Sequence, residues 1–423
     1  MDLKGKKVTV VGLARSGLAA CKLLLEKGAK VSATDCLDNQ KIQESVRCLK
    51  ASGIKDIETG RHTEKLIKGR DLIVISPGVA LESPAISWAK KRAIPVIGEL
   101  ELAYNFCPAP IIAITGTNGK TTVSTLVGEI FRQAGRKCVV CGNIGTPFSA
   151  EVLRLISEDV VALEVSSFQL ETIDRFKPKV AALLNLGIDH LDRYANFQQY
   201  LEAKSRIFLN QDQDDWSILY QDDPYKLELL AKTKARVLFF SRNRSTATGA
   251  LNSNHQAAIA ISSVFSIPKQ VALKTCRRFK GIAHRMEEVR QISGVQFIND
   301  SKATNVDSTL WALDSITRPV ILIAGGRDKG CDFTVAKEKI AKSVRAMILL
   351  GEARERIEQA FAGSVATETS AALPEAVQRA FELAQPGDCV LLSPMCASFD
   401  MFSDYAERGR TFKKAVHNLS ANA

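Results

Sequence analysis

The amino-acid sequence predicts an α/β protein with three domains. Short apolar segments alternate with helical patterns along the chain, and this alternation is typical of sheets whose strands run in parallel. A glycine-rich turn between one such strand and a helix opens a second α/β unit, and the alternation begins again near residue 284. We therefore expect a Rossmann-like domain at residues 1–97, a central P-loop ATPase-type domain with a parallel or mixed sheet at residues 98–283, and a C-terminal Rossmann-like α/β domain at residues 284–423.

The first domain begins with the pattern strand, turn, helix. Strands are expected at residues 8–11, 31–34 and 72–75, and a helix at residues 18–27. The turn at residues 12–17 resembles the dinucleotide-binding fingerprint with Ala14 at its middle glycine, and Asp35 follows at about the distance of a ribose-binding acid. A nicotinamide-dependent oxidoreductase is therefore one interpretation of this segment.

A glycine-rich loop at residues 115–121 stands between the apolar residues 111–114 and a helical pattern at residues 123–131. In such a loop the backbone N–H groups surround phosphate oxygens, Lys120 can reach the terminal phosphates, and the Thr121 hydroxyl can bind Mg²⁺. The ordinary P-loop has a glycine where this chain has Ile114. We expect a nucleoside triphosphate to contact Gly116, Thr117, Asn118, Gly119, Lys120, Thr121 and Thr122.

The rest of the chain continues the alternation. In the central domain we expect strands at residues 137–141, 160–163, 180–184, 217–220 and 237–240, and helices at residues 255–265 and 269–279. In the third domain we expect strands near residue 297 and at residues 320–324, 346–350 and 389–392. Cys138 and Cys141 form a CxxC within a predicted strand, and we interpret them as structural because no second pair completes a zinc site.

Polar side chains stand at the ends of several predicted strands. Glu164 ends the strand at residues 160–163, His190 follows the strand at residues 180–184, and Lys204 lies on a helix predicted to face the same edge. Ligands of α/β sheets bind at the carboxyl ends of the strands, so Glu164 is a candidate ligand of Mg²⁺. Similar polar turns in the third domain, taken together, predict a ligand-binding face; they are residues 284–287, 299–305, 324–330 and 392–402.

Composition limits the classes of function. The chain of 423 residues is 46% hydrophobic and has a net charge of +11. Its basic residues are intermixed with acids and form no arginine-rich tract, so we expect anionic small molecules as partners and not nucleic acid. No apolar stretch is long enough to cross a bilayer, and the ten scattered cysteines fit a reducing compartment. We therefore predict a cytoplasmic protein.

Five segments, in this order, resemble the Mur ligase family. They are residues 115–121, 164–171, 189–193, 299–305 and 393–402, and the likeness extends over nearly the whole chain. It implies a monomeric ATP-dependent ligase that forms an amide between UDP-N-acetylmuramoyl-L-alanine and D-glutamate through an acyl phosphate. It also implies that the first domain binds the UDP part of the substrate and not a nicotinamide.

The resemblance implies a site with two Mg²⁺ ions beside the ATP phosphates. Thr121 and Glu164 would hold one ion, and His190 and Lys204 would hold the other. An ammonium repels a cation, so Lys204 is expected to be N-carbamylated. The residues implied to act in catalysis are Lys120, Glu164, His190, Lys204 and Lys302.

The resemblance also assigns substrate contacts. Arg15, Ser16, Asp35, Ser76, Gly78 and Asn143 would bind the UDP substrate. Asn254, Arg285 and Asp300 would contact ATP, and Thr304, Lys329, Ser398 and Tyr405 would bind D-glutamate. Two positions depart from the family pattern: Cys36 and Leu37 stand where a polar or basic neighbour of Asp35 is expected, and Tyr405 stands where phenylalanine is expected.

Other interpretations stay open. A ligase of the same family that adds a different amino acid shares the central segments. The stretch at residues 241–254 is shorter than the family pattern and lacks the expected His-Asn pair, so a nucleotide-binding module with impaired catalysis is an alternative. The nicotinamide-dependent oxidoreductase rests on residues 12–17 and Asp35.

Overall fold

The computed structural model describes residues 1–187, 193–241, 251–328 and 330–420. It contains three sheets, as predicted. The chain divides into two compact units, the first formed by Met1–Leu186 and Gln198–Phe279 and the second by Gly187–Phe197 and Lys280–Ala423. Two sheets belong to the first unit and one to the second. The domain boundaries after residues 97 and 283 stay predictions.

The first sheet has five parallel strands: β1 (Lys7–Val11), β2 (Lys30–Thr34), β3 (Ile57–Glu58), β4 (Leu72–Ile75) and β5 (Val96–Gly98). Its helices are α1 (Arg15–Glu26), α2 (Gln40–Ala51) and α3 (Pro84–Lys91). The strand order is β3-β2-β1-β4-β5, so the turns after β2, β1 and β4 lie side by side at one edge. The expected strands at residues 8–11, 31–34 and 72–75 are confirmed, whereas β3 and β5 are too short to leave a periodic pattern.

The first helix begins three residues earlier than its apolar pattern. Gly12 has a φ of +88°, and Ala14 is the N-cap residue, so the chain enters α1 at Arg15 directly after the turn. A side chain on Gly17 would overlap the carbonyl oxygen of Gly12, which explains the glycine in the first turn of the helix. Close packing of helix on strand here requires a residue without Cβ.

The second sheet follows the short helix α4 (Glu99–Tyr104). Its strands are β6 (Ile111–Thr115), β7 (Cys138–Gly142), β8 (Val160–Glu164), β9 (Val180–Leu183), β10 (Trp216–Tyr220) and β11 (Arg236–Phe240). Its helices are α5 (Lys120–Gln133), α6 (Phe148–Glu151), α7 (Ser167–Leu170), α8 (Phe197–Ser205), α9 (Lys226–Lys232), α10 (Ser253–Val264) and α11 (Lys269–Arg278). All pairs are parallel in the order β11-β10-β9-β6-β8-β7, which places β6 between β9 and β8.

The third sheet consists of β12 (Glu287–Ile292), β13 (Val295–Asn299), β14 (Val320–Gly325), β15 (Val344–Leu350), β16 (Ala366–Thr369) and β17 (Cys389–Leu392). Its helices are α12 (Val306–Ser315), α13 (Lys337–Ser343), α14 (Arg354–Phe361), α15 (Leu373–Leu383) and α16 (Tyr405–Asn418). The order is β12-β13-β17-β14-β15-β16, and only β12 is antiparallel to its neighbour among the described strands. The charged strand β12 was not predicted.

Short 3₁₀ helices occur at Glu64–Leu66, Val152–Arg154, Arg206–Phe208 and Phe333–Ala336. The central strands β6, β8 and β9 are buried along their whole length, which explains their continuous apolar sequences. Within the described residues, every helix is too short or too polar to traverse a lipid bilayer.

Candidate active site

The glycine-rich loop lies where the sequence predicted it, between β6 and α5. Gly116 and Gly119 have φ values of +149° and +84°, which favour glycine. A Cβ on Gly116 would lie 3.1 Å from the Leu184 side chain, and a Cβ on Gly119 would collide with the side-chain oxygen of Asn254. The backbone therefore turns tightly into the helix, and its N–H groups are available at the positive end of the α5 dipole.

Asn185 stabilises this loop from the neighbouring strand. Its side-chain oxygen accepts a hydrogen bond of 2.8 Å from the N–H of Asn118, and its amide donates one of 3.1 Å to the carbonyl oxygen of Asn118. Its backbone oxygen accepts from the N–H of Thr117 at 3.0 Å. The sequence reasoning missed Asn185, although a polar residue directly after the apolar residues 180–184 was a signal for it.

Lys120 lies over the loop. Its Nζ donates hydrogen bonds of 2.7 Å and 2.9 Å to the carbonyl oxygens of Gly116 and Thr117. Thr121 and the hydroxyl of Thr122 are buried at the first turn of α5. An ammonium group above the mouth of the loop is positioned to exchange these carbonyl partners for the phosphates of a bound nucleotide.

Glu164 ends β8, the strand directly beside β6, and pairs in register with Ile114. The residue is 3% exposed. Asn143 donates to its Oε1 from the side chain at 3.0 Å and to its backbone oxygen at 2.9 Å. Its other carboxylate oxygen, Oε2, is buried and has no hydrogen-bond partner in the described structure. A buried carboxylate oxygen without a partner is costly unless a cation occupies the space beside it, so Glu164 fits a Mg²⁺ ligand.

Lys204 contacts the same loop from α8. The side chain is buried, with the residue 2% exposed, and Nζ donates to the carbonyl oxygen of Gly116 at 3.1 Å and approaches the Thr115 hydroxyl at 3.5 Å. Nζ also lies 4.6 Å from the centroid of the Tyr200 ring, whose hydroxyl is 3.2 Å from that of Thr117. A lysine is rarely buried this fully, so its position beside the loop indicates a specific role.

The described residues contain no group of three or more His, Cys, Asp or Glu side chains that could hold a metal. A metal at this site would therefore need other ligands, such as the Thr121 hydroxyl or a carbamylated Lys204. His190, the predicted partner of Lys204, lies outside the described residues. The predicted set of metal ligands stays a prediction.

A cavity of about 550 Å³ lies in the first unit between the edges of its two sheets. Its lining includes all six residues predicted to bind the UDP substrate: Arg15, Ser16, Asp35, Ser76, Gly78 and Asn143. Arg15 joins the two sheets because its Nη1 donates to the carbonyl oxygen of Gly145 at 3.2 Å. Since Asn143 also binds Glu164, the cavity leads to the residues beside the glycine-rich loop.

Two of these six side chains also hold the turns in place. Asp35 accepts hydrogen bonds from the N–H of Leu13 at 2.6 Å and of Leu37 at 2.8 Å, one on each carboxylate oxygen. Ser76 donates to the carbonyl oxygen of Gly12 at 2.8 Å. Both residues therefore fix the shape of the cavity wall, whatever they contact in a ligand.

In the second unit, Asp300 follows β13 and is 3% exposed. Its carboxylate accepts from the N–H of Met286 at 3.2 Å and from the Ser393 hydroxyl at 3.1 Å. Burial raises the pKa of Asp300 to about 7, although the positive charge of Arg285 and the two hydrogen bonds oppose the rise. The Nε of Arg285 is buried without a hydrogen-bond partner in the described structure.

The other predicted residues of this unit stand on neighbouring turns. The Nζ of Lys302 lies 5.4 Å from the centroid of the Tyr405 ring at the start of α16. Ser398 is buried and Thr304 is half-buried, while Lys329 lies outside the described residues. The structure thus brings Lys302 and Tyr405 together, and the D-glutamate contacts stay predictions.

Arg408 connects these turns and was not predicted. It is 3% exposed, and its guanidinium donates to Ser301 through Nε and Nη2, at 3.0 Å to the hydroxyl and 2.9 Å to the carbonyl oxygen. It also donates to the carbonyl oxygens of Cys396 at 3.1 Å and Ala397 at 3.3 Å. One side chain from α16 therefore holds the turn after β13 against the turn after β17.

Asn254 is the second residue of α10, and its side-chain oxygen lies beside Gly119 of the glycine-rich loop. The helix begins with a capping box in which Asn252 and His255 exchange hydrogen bonds. This location beside the loop is compatible with the predicted contact to a bound nucleotide. Residues 242–250 of the shortened stretch lie outside the described residues.

The two sheets of the first unit, the glycine-rich loop and the buried Glu164 define a nucleotide-binding α/β protein of the P-loop type. The sequence matches three domains of one family: a MurD-like N-terminal domain at residues 6–98, the Mur ligase middle domain at residues 114–275 and the Mur ligase glutamate ligase domain at residues 284–396. The chain belongs to the Mur ligase family. The match at residues 6–98 removes the support for a nicotinamide-dependent oxidoreductase.

Full-length relatives agree with this assignment. The chain is 41% identical to the UDP-N-acetylmuramoylalanine–D-glutamate ligase of a Thermoanaerobacter species, over 99% of this chain and 100% of the relative. It is 42% identical to the ligase of the same name from Geotalea daltonii, over 99% of each chain. These identities support the predicted family member over the other Mur-type ligases.

Solved structures show the same fold at low sequence identity. The MurF ligase from Thermotoga maritima in complex with ADP is 15% identical with a TM-score of 0.61, over 99% of this chain and 97% of that chain. A pseudomurein peptide ligase type C from Methanothermus fervidus is 17% identical with a TM-score of 0.60, over 98% of this chain and 100% of that chain. The predicted α/β fold is confirmed.

Proposed function

We propose that this chain is an ATP-dependent ligase that joins D-glutamate to UDP-N-acetylmuramoyl-L-alanine in peptidoglycan synthesis. The observation that carries the proposal is the 41% identity to a ligase of that name over 99% of this chain. The geometry supports it, because the cavity reaches Asn143 and Asn143 binds Glu164, which lies on the strand beside the glycine-rich loop.

The chemistry requires an activated carboxylate, because a free carboxylate is a poor electrophile for an amine. Transfer of the γ-phosphoryl group of ATP to the substrate carboxylate gives an acyl phosphate and ADP. The amine of D-glutamate then attacks the acyl carbon, and phosphate leaves as the amide forms. Lys120 would hold the transferred phosphoryl group, and water would have to be excluded from the acyl phosphate, which it would hydrolyse.

We further propose that Thr121 and Glu164 hold one Mg²⁺, and that His190 and carbamylated Lys204 hold a second. The buried, unpartnered Oε2 of Glu164 and the contact of Lys204 with Gly116 support this arrangement. Bound Mg²⁺ would offset the negative charge that develops during phosphoryl transfer.

In the second unit, we propose that Arg285, Asp300 and Lys302 contact the nucleotide. Thr304, Lys329, Ser398 and Tyr405 would bind D-glutamate. Asn254 would contact the adenine from the first unit. Support comes from the location of the described residues on neighbouring turns after β13 and β17, held together by Arg408.

The assay is ADP formation with UDP-N-acetylmuramoyl-L-alanine and one amino acid at a time. We expect turnover with D-glutamate and a loss of at least about 90% with L-alanine, lysine or diaminopimelate, a discrimination of about 1.4 kcal/mol or more. The variant Lys120→Ala should lose turnover, and Lys274→Ala, which changes an exposed lysine on α11, serves as its control. Turnover with another amino acid in place of D-glutamate would contradict the proposed substrate.

The carbamate on Lys204 is tested separately. In ¹³C-bicarbonate, the wild-type chain and Lys274→Ala should show a carbamate carbon by NMR, and Lys204→Ala should lack it. Short carboxylic acids such as acetate should restore part of the activity of Lys204→Ala by supplying the missing carboxylate. An NMR spectrum of Lys204→Ala that matches the wild-type spectrum, or a failure of the acids to restore turnover, would count against carbamylation.

We propose a monomer that acts in the cytoplasm. The ten cysteines are all free, which supports a reducing compartment. Light scattering of the purified chain, with and without nucleotide, tests the monomeric state.

A further inference from the structure

The net positive charge of the chain is concentrated in one segment. The chain has 57 Lys and Arg residues against 46 Asp and Glu residues, which gives its net charge of +11. Residues 229–286 contain eleven of the basic residues and no acidic residue, so the remaining 46 basic residues are balanced by 46 acidic ones. The intermixing of basic and acidic residues that the sequence suggested therefore describes the rest of the chain and not this segment.

Helix α11 carries much of this charge on its outer side. The helix packs on α5 and α10, and its residues Ala272 and Cys276 belong to the apolar core beneath it. Arg277 and Arg278 stand three and four residues after Lys274, so these three exposed cations share one face of the helix. We define the basic face as the exposed cations of α11 and of its C-terminal end: Lys269, Lys274, Arg277, Arg278 and Lys280.

The basic face is not neutralised by neighbouring acids. At the end of α5 and in the turn after it, Arg132 forms an ion pair with Glu129 and Lys137 forms one with Asp159. In contrast, the cations of the basic face have no ion-pair partner within the described part of the chain. Cations at this density repel one another, so a polyanionic surface that covers them would relieve the repulsion.

Three more exposed cations lie around the start of β11, the last strand of the second sheet. Lys232 ends α9, Lys234 lies in the following turn and Arg236 begins β11. Because β11 is parallel to its neighbours, this turn lies at the opposite edge of the sheet from the glycine-rich loop, which follows β6. A nucleotide bound at that loop therefore does not account for these cations. Since α10 packs on both β11 and α11, they belong to the part of the surface next to the basic face.

Two large apolar side chains are exposed beside these cations. Leu227 on α9 is 79% exposed, the highest value for a large apolar side chain among the described residues. Phe239 on β11 is 38% exposed, and the Nζ of Lys226 lies 6.0 Å from the centroid of its ring. The surface of an anionic bilayer accommodates both kinds of side chain, because lipid phosphates attract the cations and apolar groups enter the boundary with the acyl chains. The phosphate backbone of a nucleic acid offers no such place for Leu227.

We propose that the basic face, together with Leu227 and Phe239, docks this chain on the surface of an anionic phospholipid bilayer. A cluster of about four to eight Lys and Arg residues on an amphipathic helix is typical of such binding, and each cation near the surface strengthens it by about fivefold. A second copy of this chain is a poorer partner, because a two-fold contact would bring two basic faces together. The chain would lie on the bilayer and not cross it.

The experiment is sedimentation of the full chain with lipid vesicles. We expect binding at about 0.1 M NaCl to vesicles of phosphatidylglycerol and phosphatidylcholine in equal parts, and binding at least about tenfold weaker at about 0.5 M NaCl or with phosphatidylcholine alone. The double variant Arg277→Gln and Arg278→Gln should bind at least about tenfold more weakly than wild type. Charge reversal by Arg277→Glu and Arg278→Glu should weaken binding further. The midpoints of urea denaturation should stay at the wild-type value, which shows that both variants fold.

The matched control is the double variant Lys337→Glu and Lys342→Glu, which makes the same change in net charge on exposed lysines of α13 in the second unit. It should bind vesicles within about twofold of wild type. An equal loss in the two charge-reversed variants would mean that total charge and not this face determines binding, and it would overturn the inference. Equal binding of the wild-type chain to both vesicle compositions would overturn it as well.

A nucleic acid is tested in the same buffer with a labelled single-stranded RNA and a DNA duplex. If the wild-type chain binds either of them and does not sediment with anionic vesicles, the partner of the basic face is a nucleic acid and the inference is refuted. Sedimentation does not depend on turnover, so the result is independent of the proposed ligase activity.

Discussion

Asp300 should make the second unit less stable as the pH rises, which is the opposite of the usual effect of a carboxyl group. Its carboxyl group is almost fully buried, and burial raises its pKa from 3.8 to about 7. Between these two values the folded chain holds a proton on Asp300 that the unfolded chain releases. The free energy of unfolding must therefore fall as the pH rises through this window.

The magnitude follows from the two pKa values. Each pH unit corresponds to about 1.4 kcal/mol, so the full window from 3.8 to about 7 amounts to roughly 4 kcal/mol. Between pH 5 and pH 8 the expected loss is roughly 2–3 kcal/mol. The substitution Asp300→Asn removes the titrating proton and keeps a side chain of nearly the same shape, so it should remove this loss.

The measurement is urea denaturation of the wild-type chain and Asp300→Asn between pH 5 and pH 8. Trp311 on α12 reports on the second unit if Trp88 and Trp216, the other two of the three tryptophans, are replaced by phenylalanine. The stability of Asp300→Asn relative to wild type should increase by roughly 2–3 kcal/mol across this range. Any cost of the amide itself is independent of pH and cancels in the comparison.

Glu355→Gln is the control, because Glu355 is an exposed carboxylate on α14 of the same unit. It should follow the wild-type pH profile. If the stability of Asp300→Asn relative to wild type stays constant with pH, the reasoning is refuted. It is also refuted if this relative stability increases as the pH falls, because the pH dependence would then have the opposite sign. A constant difference would mean that Asp300 is ionised in the folded chain throughout this range.

Three further predictions concern single side chains. Glu164→Gln should reduce ADP formation at least about a hundredfold, because mutation of a residue that only hydrogen-bonds to a metal ligand already costs about 10- to 100-fold in metal affinity or activity. Its affinity for UDP, measured by calorimetry, should not change. Arg408→Met should destabilise the second unit by roughly 3–5 kcal/mol in urea denaturation, because the buried carbonyl oxygens lose their donor; a change below about 1 kcal/mol would contradict this. Glu101→Gln should cost the first unit about 2 kcal/mol in the same assay, because its buried carboxylate accepts three backbone N–H groups at 3.0 Å, from Asp174, Arg175 and Phe176.

The parts of the fold that the sequence predicted are those with a local signal. The strands β6, β8 and β9 are continuous apolar runs because they are buried on both faces of a parallel sheet. The glycine-rich loop was predictable because Gly116 and Gly119 take φ values that other residues avoid. The charged edge strand β12 left no such signal, since its exposed positions carry Glu288, Arg290 and Gln291.

The parts of the site that were missed depend on contacts between distant residues. Asn185 binds Asn118 across 67 positions of the sequence, and Arg408 binds Ser301 across 107. An arginine or asparagine in the sequence does not by itself predict such a contact, because most residues of both types lie at the surface.

Asn143 explains how one sheet edge can combine substrate binding with phosphate chemistry. It follows β7, lines the cavity, and donates to Glu164 from both its backbone and its side chain. Because Asn143 lines the cavity and also donates to Glu164, a ligand that displaces Asn143 would change its hydrogen bond to the proposed metal ligand. The single bond to Oε1 also orients the carboxylate so that Oε2 remains buried without a partner. A cation bound beside Oε2 would therefore supply the partner that Asn143 does not.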